Sequence, residues 1–171
     1  MNDLHAIRMA ICRATTATRC QLAQLPPLAL LLGFAGLLPP LGLLLIVLLV
    51  PGDHATIAAI VGHVYAALIF SFLGGIWWGI GINRGADAPE WIWLAAVMPM
   101  LLALIGVGPS LLGNAWLGPW LMALGGAIGA SVLIDRRLIA LGIVPGAWLT
   151  LRAWLSVGLG GLTFLLGWAI I

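Results

Sequence analysis

One uninterrupted apolar run constrains this chain more than any other feature of its sequence. From Ile57 to Ile82 the chain contains no Asp, Glu, Lys or Arg. An α-helix rises 1.5 Å per residue, so a helix over this run is about 39 Å long, and the hydrocarbon core of a bilayer is about 30 Å thick. The run therefore predicts a helix that spans a membrane.

Four further apolar runs predict a bundle of such helices. The five predicted spans cover residues 28–50, 57–82, 91–107, 115–134 and 153–171. Charged residues make up only 7% of the chain, whereas about 25% is usual for a soluble domain. The sequence therefore predicts an all-α integral membrane protein, embedded in the lipid bilayer as a single five-transmembrane-helix bundle.

Residues 1–27 form a predicted N-terminal tail that is rich in arginine. Arg8, Arg13 and Arg19 accompany a single acid, and apolar residues recur at helical spacing. The tail fits either a short helix on the membrane surface or an irregular cytoplasmic segment. A mitochondrial transit peptide has a similar composition, but the absence of lysine favours a bacterium. We expect the inner (cytoplasmic) membrane of a bacterium, or the mitochondrial inner membrane if the chain is eukaryotic.

The arginines predict the orientation of the bundle. With five spans, the tail, the loop at Arg84 and the connection that carries Arg136, Arg137 and Arg152 fall on one side, which then holds all seven arginines of the chain. Short loops that carry arginine are retained in the cytoplasm. The sequence therefore predicts a cytoplasmic N-terminus and an outward-facing C-terminus.

The second span carries small residues at a spacing that suits close helix packing. Four of them recur at every fourth position: Ala67, Ser71, Gly75 and Gly79. We call this set the small-residue ridge, because a flank without large side chains lets the backbone of another helix approach. A neighbouring stripe contains His63, Phe70, Gly74 and Gly81. We expect another helix to pack against this side of the span.

His63 and Pro39 have chemistry that is unusual inside a membrane helix. An ionisable residue in a membrane is a functional candidate by default, although a neutral His63 bonded to a neighbouring carbonyl or hydroxyl would serve packing alone. Pro39 and Pro40 remove backbone amides in the middle of the first span. A helix broken there either contributes to an ion site, as in transporters, or only kinks to fit its neighbours.

The polar residues exclude several classes of function. All five acids lie outside the predicted spans: Asp3, Asp53, Asp87, Glu90 and Asp135. No carboxylate is therefore expected to relay protons or sodium ions. The chain contains no zinc or nucleophile motif, and haem would need a second histidine beside His63 within the bilayer. We expect no catalysis, cofactor, metal or nucleic-acid partner, and we expect Asp135 and Arg152 to pair as a structural clamp at the interface.

Nine tryptophans lie near the ends of the predicted spans. This distribution is typical of an aromatic belt at the boundary between water and lipid, and it includes Trp77 and Trp78. A cage around an apolar ligand is the alternative.

Three motifs resemble a known family. They are L-G-F-A-G-L-L-P at residues 32–39, S-F-L-G-G followed by W-G at residues 71–79, and W-x-x-L-R at residues 148–152. Together with Tyr65 and Asp135 they are similar to a family of small bacterial membrane proteins of unknown function that also includes mitochondrial transmembrane protein 69. The resemblance implies a fold and a membrane but no activity.

Small-residue faces outnumber groups able to do chemistry, which favours a non-enzymatic role. We expect an assembly, accessory or interaction subunit that packs against another membrane protein or a copy of itself. The alternative is a small binder or permeation pathway for an apolar or weakly polar ligand. Its expected lining is His63, Tyr65, Ser71 and the kink at Pro39.

Overall fold

The computed structural model describes residues 25–50, 52–106, 108 and 114–171. The tail prediction falls almost entirely on residues 1–24, outside this part of the chain. The regular structure of the described residues is helical, and its α-helices are α1 (Pro27–Ala35), α2 (Leu38–Leu49), α3 (Asp53–Arg84), α4 (Trp91–Ile105), α5 (Asn114–Ala130), α6 (Val132–Ala140) and α7 (Gly146–Ala169). A 3-10 turn, Gly85–Asp87, follows α3.

The first apolar run folds as two successive helices with a break before the prolines, as Pro39 and Pro40 predicted. Helix α1 ends at Ala35, and α2 begins at Leu38 with prolines in its first turn. Proline is tolerated there because the first amides of a helix have no intrahelical acceptor. The chain therefore breaks before Pro39 and Pro40, where the helix would otherwise lose two hydrogen bonds.

The later helices differ from the predicted spans mainly around Asp135. The prediction ended the fourth span at residue 134 and placed a charged connection from Asp135 to Arg152. In the structure α5 is followed at once by α6, and α7 already begins at Gly146. Asp135 and Arg152 thus lie on helices inside the bundle, and the prediction that every acid lies outside the spans was wrong for Asp135.

Among the described residues, four helical stretches are long and apolar enough to cross a membrane: Pro27–Leu49, Asp53–Asp87, Trp116–Ala140 and Gly146–Ala169. Helix α4 is equally apolar but has only 15 residues. The architecture is that of an all-α protein with several potential membrane spans, which indicates a membrane protein.

Three apolar layers stack along α3. The first layer is Leu44, Val47, Ala58, Ala59, Leu117, Leu121 and Leu166. The middle layer is Ala66, Phe70, Leu73, Leu124, Ile128 and Leu159. The last layer is Trp77, Ile92, Ala96 and Leu138. Leu37, just before α2, packs on the middle layer and α2 continues into the first, and α7 likewise runs from the middle layer to the first. Helix α3 and the α5–α6 stretch run from the first layer to the last, and α4 returns from the last. Successive passes therefore alternate in direction.

The arginines of the described residues gather at the end of the last layer. Arg84 Nη2 donates to the Gly142 carbonyl over 3.2 Å. The Arg137 guanidinium lies 5.0 Å from the centre of the Trp91 ring, and Arg152 is bonded to α6. Helix α3 begins at the opposite end of the bundle, with Asp53.

Glycines bring two pairs of helices into backbone contact. A Cβ atom added to Gly125 of α5 would lie 2.5 Å from the Gly160 carbonyl oxygen of α7. A Cβ atom added to Gly74 of α3 would overlap the Ala96 carbonyl of α4. Only glycine, which has a hydrogen atom as its side chain, fits at these two positions. The α5–α7 and α3–α4 contacts therefore depend on the two glycines.

Candidate functional site

A buried ion pair joins α6 to α7. Arg152 Nε donates to Asp135 Oδ2 over 3.0 Å, and the two side chains are 6% and 0% exposed. A charge taken out of water is costly unless a partner and hydrogen bonds compensate it. The pair therefore holds α6 and α7 together at a fixed register.

Trp77 completes the bonding of the carboxylate from α3. Its Nε1 donates to Asp135 Oδ1 over 2.9 Å, and the Trp77 side chain is 1% exposed. The assignment of Trp77 to an aromatic belt was wrong, because its indole is buried and bonded to α6 instead of facing lipid. We call Trp77, Asp135 and Arg152 the buried triad.

Two serines extend the buried triad by one helical turn. Ser131 precedes Asp135 by four residues, and Ser156 follows Arg152 by four, so each pair shares a helix face. The Ser131 and Ser156 hydroxyls lie 3.3 Å apart, and Ser131 Oγ also donates to the Ile128 carbonyl over 2.6 Å. These two four-residue spacings were the signal in the sequence that could have predicted a polar seam between α6 and α7.

Two hydrogen-bond donors beside the triad have no partner among the described residues. They are Arg152 Nη2 and Trp148 Nε1, and both nitrogens are buried. The guanidinium carbon of Arg152 lies 5.9 Å from the centre of the Trp148 ring. Buried donors normally have a hydrogen-bond partner. Two neighbouring side chains that each bury a donor without one are therefore unusual, and we call these two nitrogens the open donors.

A cavity of about 420 Å³ lies next to these donors, between α1, α3 and α7. Its lining includes Trp148, Arg152 and Ser156 among otherwise apolar residues. A second cavity, of about 370 Å³, lies between α3, α4 and α5 and includes Trp77 and Ser131 in its lining. The buried triad thus stands between two largely apolar cavities.

His63 lies in the first half of α3 and is bonded within the chain. Trp120 Nε1 donates to His63 Nε2 over 3.1 Å, and His63 is 2% exposed. The acceptor nitrogen is therefore occupied by a tryptophan of α5. His63 lines neither of the two cavities described above.

Tyr65 bonds the break between α1 and α2. Its hydroxyl donates to the Gly36 carbonyl over 2.7 Å. In a continuous helix this carbonyl would accept the amide of residue 40, but Pro40 has no amide hydrogen. Tyr65 supplies the missing donor, so its structural role follows directly from the prolines.

The remaining candidate residues divide between the inside and the outside of the bundle. Gly74 is buried against α4, while Gly75, Gly79 and Pro39 are exposed. Trp78 is 45% exposed and meets Trp93 edge to face, with ring centres 5.1 Å apart. The stripe that contains His63 and Gly74, rather than the small-residue ridge, therefore faces the interior.

The part of the chain that the structure describes offers few ligands for a metal ion. No group of three or more His, Cys, Asp or Glu side chains is close enough there to hold an ion. The buried triad has one carboxylate, and both of its oxygens already accept hydrogen bonds. Its arrangement is suited to holding helices and binding acceptors rather than to coordinating a cation.

Comparison with known proteins identifies one family model that matches this chain. Its description is "Protein of unknown function (DUF3429)", and the match covers residues 25–169. No curated protein and no solved structure matches the chain.

Proposed function

Since the chain belongs to the DUF3429 family of proteins of unknown function, as its motifs predicted, we propose its role from geometry. It is a multi-pass membrane protein that catalyses no reaction and serves as an assembly, accessory or interaction subunit. The small-residue ridge receives a helix of another membrane protein or of a second copy. One observation carries this proposal: the ridge is open at Gly75 and Gly79.

The ridge has free space along half of its length. A Cβ atom added to Gly75 or Gly79 would meet no atom of the described residues within 4 Å. Ala67 and Ser71 are half-buried. Ser71 Oγ donates to the Ala67 carbonyl over 2.9 Å, so the polar group of the ridge is turned to its own helix. The ridge therefore offers a shallow, apolar groove.

Packing within the chain accounts for other glycines of α3 but not for these two. Gly74 lies against the Ala96 carbonyl, and a Cβ atom at Gly81 would lie 3.0 Å from the Trp93 ring. In a helix, glycine is less favourable than alanine by about 1 kcal/mol. Among the described residues, Gly75 and Gly79 have no neighbour that requires this cost, which supports a helix outside this part of the chain as the group they accommodate.

Gly75→Leu is expected to abolish the association while leaving the fold intact. In blue-native electrophoresis after mild detergent extraction, the wild-type protein should migrate well above its 17.9 kDa mass. The variant should migrate as a monomer, because the leucine side chain fills the groove. Mass spectrometry of the wild-type band distinguishes a second copy from a different membrane protein.

Gly42→Leu is the matched control for this experiment. Gly42 lies on α2, is exposed, and likewise has open space around the position of a Cβ atom. It should leave the migration unchanged, because it lies on a different helix. A wild-type monomer that Gly75→Leu does not alter would contradict the proposal, as would equal loss of association in both variants.

We further propose five spans, with the N-terminus in the cytoplasm of a bacterial cell. The gathering of the described arginines at one end supports a single cytoplasmic face. Helix α4 is only about 22 Å long at 1.5 Å per residue, but it runs back from the last layer of the core. Counting α4 as a span keeps Arg84 and Arg152 on the same side, which supports the fifth span.

Thiol labelling in intact cells tests this topology. In a variant without Cys12 and Cys20, His54→Cys should react with an impermeant reagent and Asp87→Cys should react only after lysis. Both side chains are exposed, His54 at the start of α3 and Asp87 in the 3-10 turn that follows its end. A difference in labelling between the two cysteines therefore reports the side of the membrane and not burial within the protein. Labelling of Asp87→Cys in intact cells, with His54→Cys protected, would reverse the proposed orientation.

A second function, the binding of an apolar or weakly polar ligand, is favoured by the cavity beside Arg152. The predicted lining of such a site was His63, Tyr65, Ser71 and Pro39. Tyr65 and Ser71 instead donate to backbone carbonyls. The ligand-binding alternative therefore moves from the His63 region to the triad.

A further inference from the structure

The cavity between α1, α3 and α7 has the features of a site for one chemical class of ligand. We infer that it binds an uncharged apolar molecule, dissolved in the bilayer, through a carbonyl oxygen that accepts from Arg152 and Trp148. This inference specifies the second function proposed above. It does not depend on the small-residue ridge, so the two experiments fail independently.

The open donors define what the ligand must supply. Arg152 Nη2 and Trp148 Nε1 are buried without a partner among the described residues, and both side chains line the cavity. An arginine and an indole nitrogen can only donate. The missing partner is therefore an acceptor, and one oxygen with two lone pairs can serve both donors.

The charges beside the cavity favour a neutral acceptor over a carboxylate or phosphate. Asp135 already compensates Arg152 at 3.0 Å and is itself fully buried. An anionic ligand would bring a second negative charge close to Asp135 in apolar surroundings, where an uncompensated charge is costly. A carbonyl oxygen accepts the same hydrogen bonds without that cost.

The size and walls of the cavity suit the apolar body of such a ligand. Its volume of about 420 Å³ lies within the range of about 300–1,000 Å³ that is usual for small-molecule sites. Leu32 and Phe72 of its lining are 61% and 64% exposed, so the cavity can be entered from the side of the bundle. Both nitrogens are enclosed in the ligand-free structure, so binding requires the Trp148 ring to shift and open Arg152 Nη2 to the cavity, while Arg152 Nε keeps its bond to Asp135 Oδ2.

Two sources in a membrane offer a carbonyl on an apolar body: the ester of a neutral lipid and the ring carbonyl of a quinone. Monoolein and decyl-1,4-benzoquinone are probes for the two sources. Decylbenzene lacks the acceptor, and palmitate carries a charge in its place. Native mass spectrometry of the full chain released from detergent micelles counts the bound molecules of each probe and yields the affinities.

The wild-type protein is expected to bind at least one carbonyl probe more tightly than decylbenzene and palmitate. Which of the two binds identifies the source. Trp148→Phe removes one donor and keeps an aromatic ring, so it should weaken this binding about 2- to 12-fold. Trp154→Phe, on the same helix and 57% exposed, is the matched control and should bind as the wild type does.

The ligand-free stability provides a second readout for the same variant. Trp148→Phe removes a donor that has no partner among the described residues, but it also removes packing volume and weakens the contact with the Arg152 guanidinium. The ligand-free thermal midpoint should therefore fall modestly, while the rise in midpoint that a carbonyl probe gives to the wild-type protein should become smaller. A carbonyl probe that raises the midpoint of Trp148→Phe as much as that of the wild-type protein would overturn the inference. Equal binding of decylbenzene, tighter binding of palmitate, or unchanged binding by Trp148→Phe would overturn it as well.

Discussion

Asp135→Leu is expected to destabilise the folded protein by about 3–5 kcal/mol, the usual cost of breaking a buried ion pair from one side. Arginine keeps its charge under all conditions in which proteins fold. Removal of the carboxylate therefore leaves the Arg152 guanidinium buried, and it also deprives Trp77 Nε1 of its acceptor. The free energy of unfolding, measured by circular dichroism during titration of mild-detergent micelles with SDS, is the observable.

The double variant Asp135→Leu/Arg152→Met separates the charge from the packing. Replacing both members of a buried pair by apolar residues is often close to neutral, so the double variant should be far more stable than Asp135→Leu alone. Asp87→Asn removes an exposed carboxylate and should change the stability by less than about 0.5 kcal/mol. If Asp135→Leu behaved like Asp87→Asn, the burial of the triad would be contradicted.

Gly160→Ala and Gly125→Ala are expected to disrupt the contact between α5 and α7. A Cβ atom at Gly160 would lie 2.6 Å from the Gly125 carbonyl oxygen and 3.0 Å from the Gly129 amide nitrogen. Backbone atoms cannot move aside without separating the helices. Overpacking of this kind typically costs about 1–3 kcal/mol, and we expect the upper part of that range, measured by the same SDS titration.

The neighbouring glycines provide a control one residue away on each helix. Gly126 and Gly161 are exposed, and a Cβ atom at either position would meet no described atom within 4 Å. Gly126→Ala and Gly161→Ala should therefore be neutral or slightly stabilising, since alanine is the better helix former. Equal losses at Gly125 and Gly126 would show that the close approach of α5 and α7 is not what makes Gly125 necessary.

The helices could be predicted well wherever apolar residues ran without interruption. The run from Ile57 to Ile82 became α3, Asp53–Arg84, and the predicted start at Trp91 is the start of α4. The break at Pro39 was also indicated by the sequence, because a missing amide disrupts a helix irrespective of its neighbours. The donor to the Gly36 carbonyl at that break could not be predicted, because it is Tyr65, 29 positions away in the chain.

The prediction failed where a polar residue found its partner in a distant part of the chain. Asp135 was assigned to a connection because a charge at the end of an apolar run normally marks an interface. Its burial depends on Trp77, which lies 58 positions away, and on Arg152. A carboxylate with two such donors can lie inside the bundle, and local hydropathy contains no information about them.

The sequence by itself determined the all-α class, the approximate helices and the placement of the described arginines at one end, because these follow from the solvation of each residue in lipid or water. The tertiary structure alone decided which side of α3 faces inward. Gly74 and Gly75 are equally small and adjacent, yet one lies against the Ala96 carbonyl and the other faces open space. Spacing along a helix defines its faces, but only the positions of the other helices decide which face is covered.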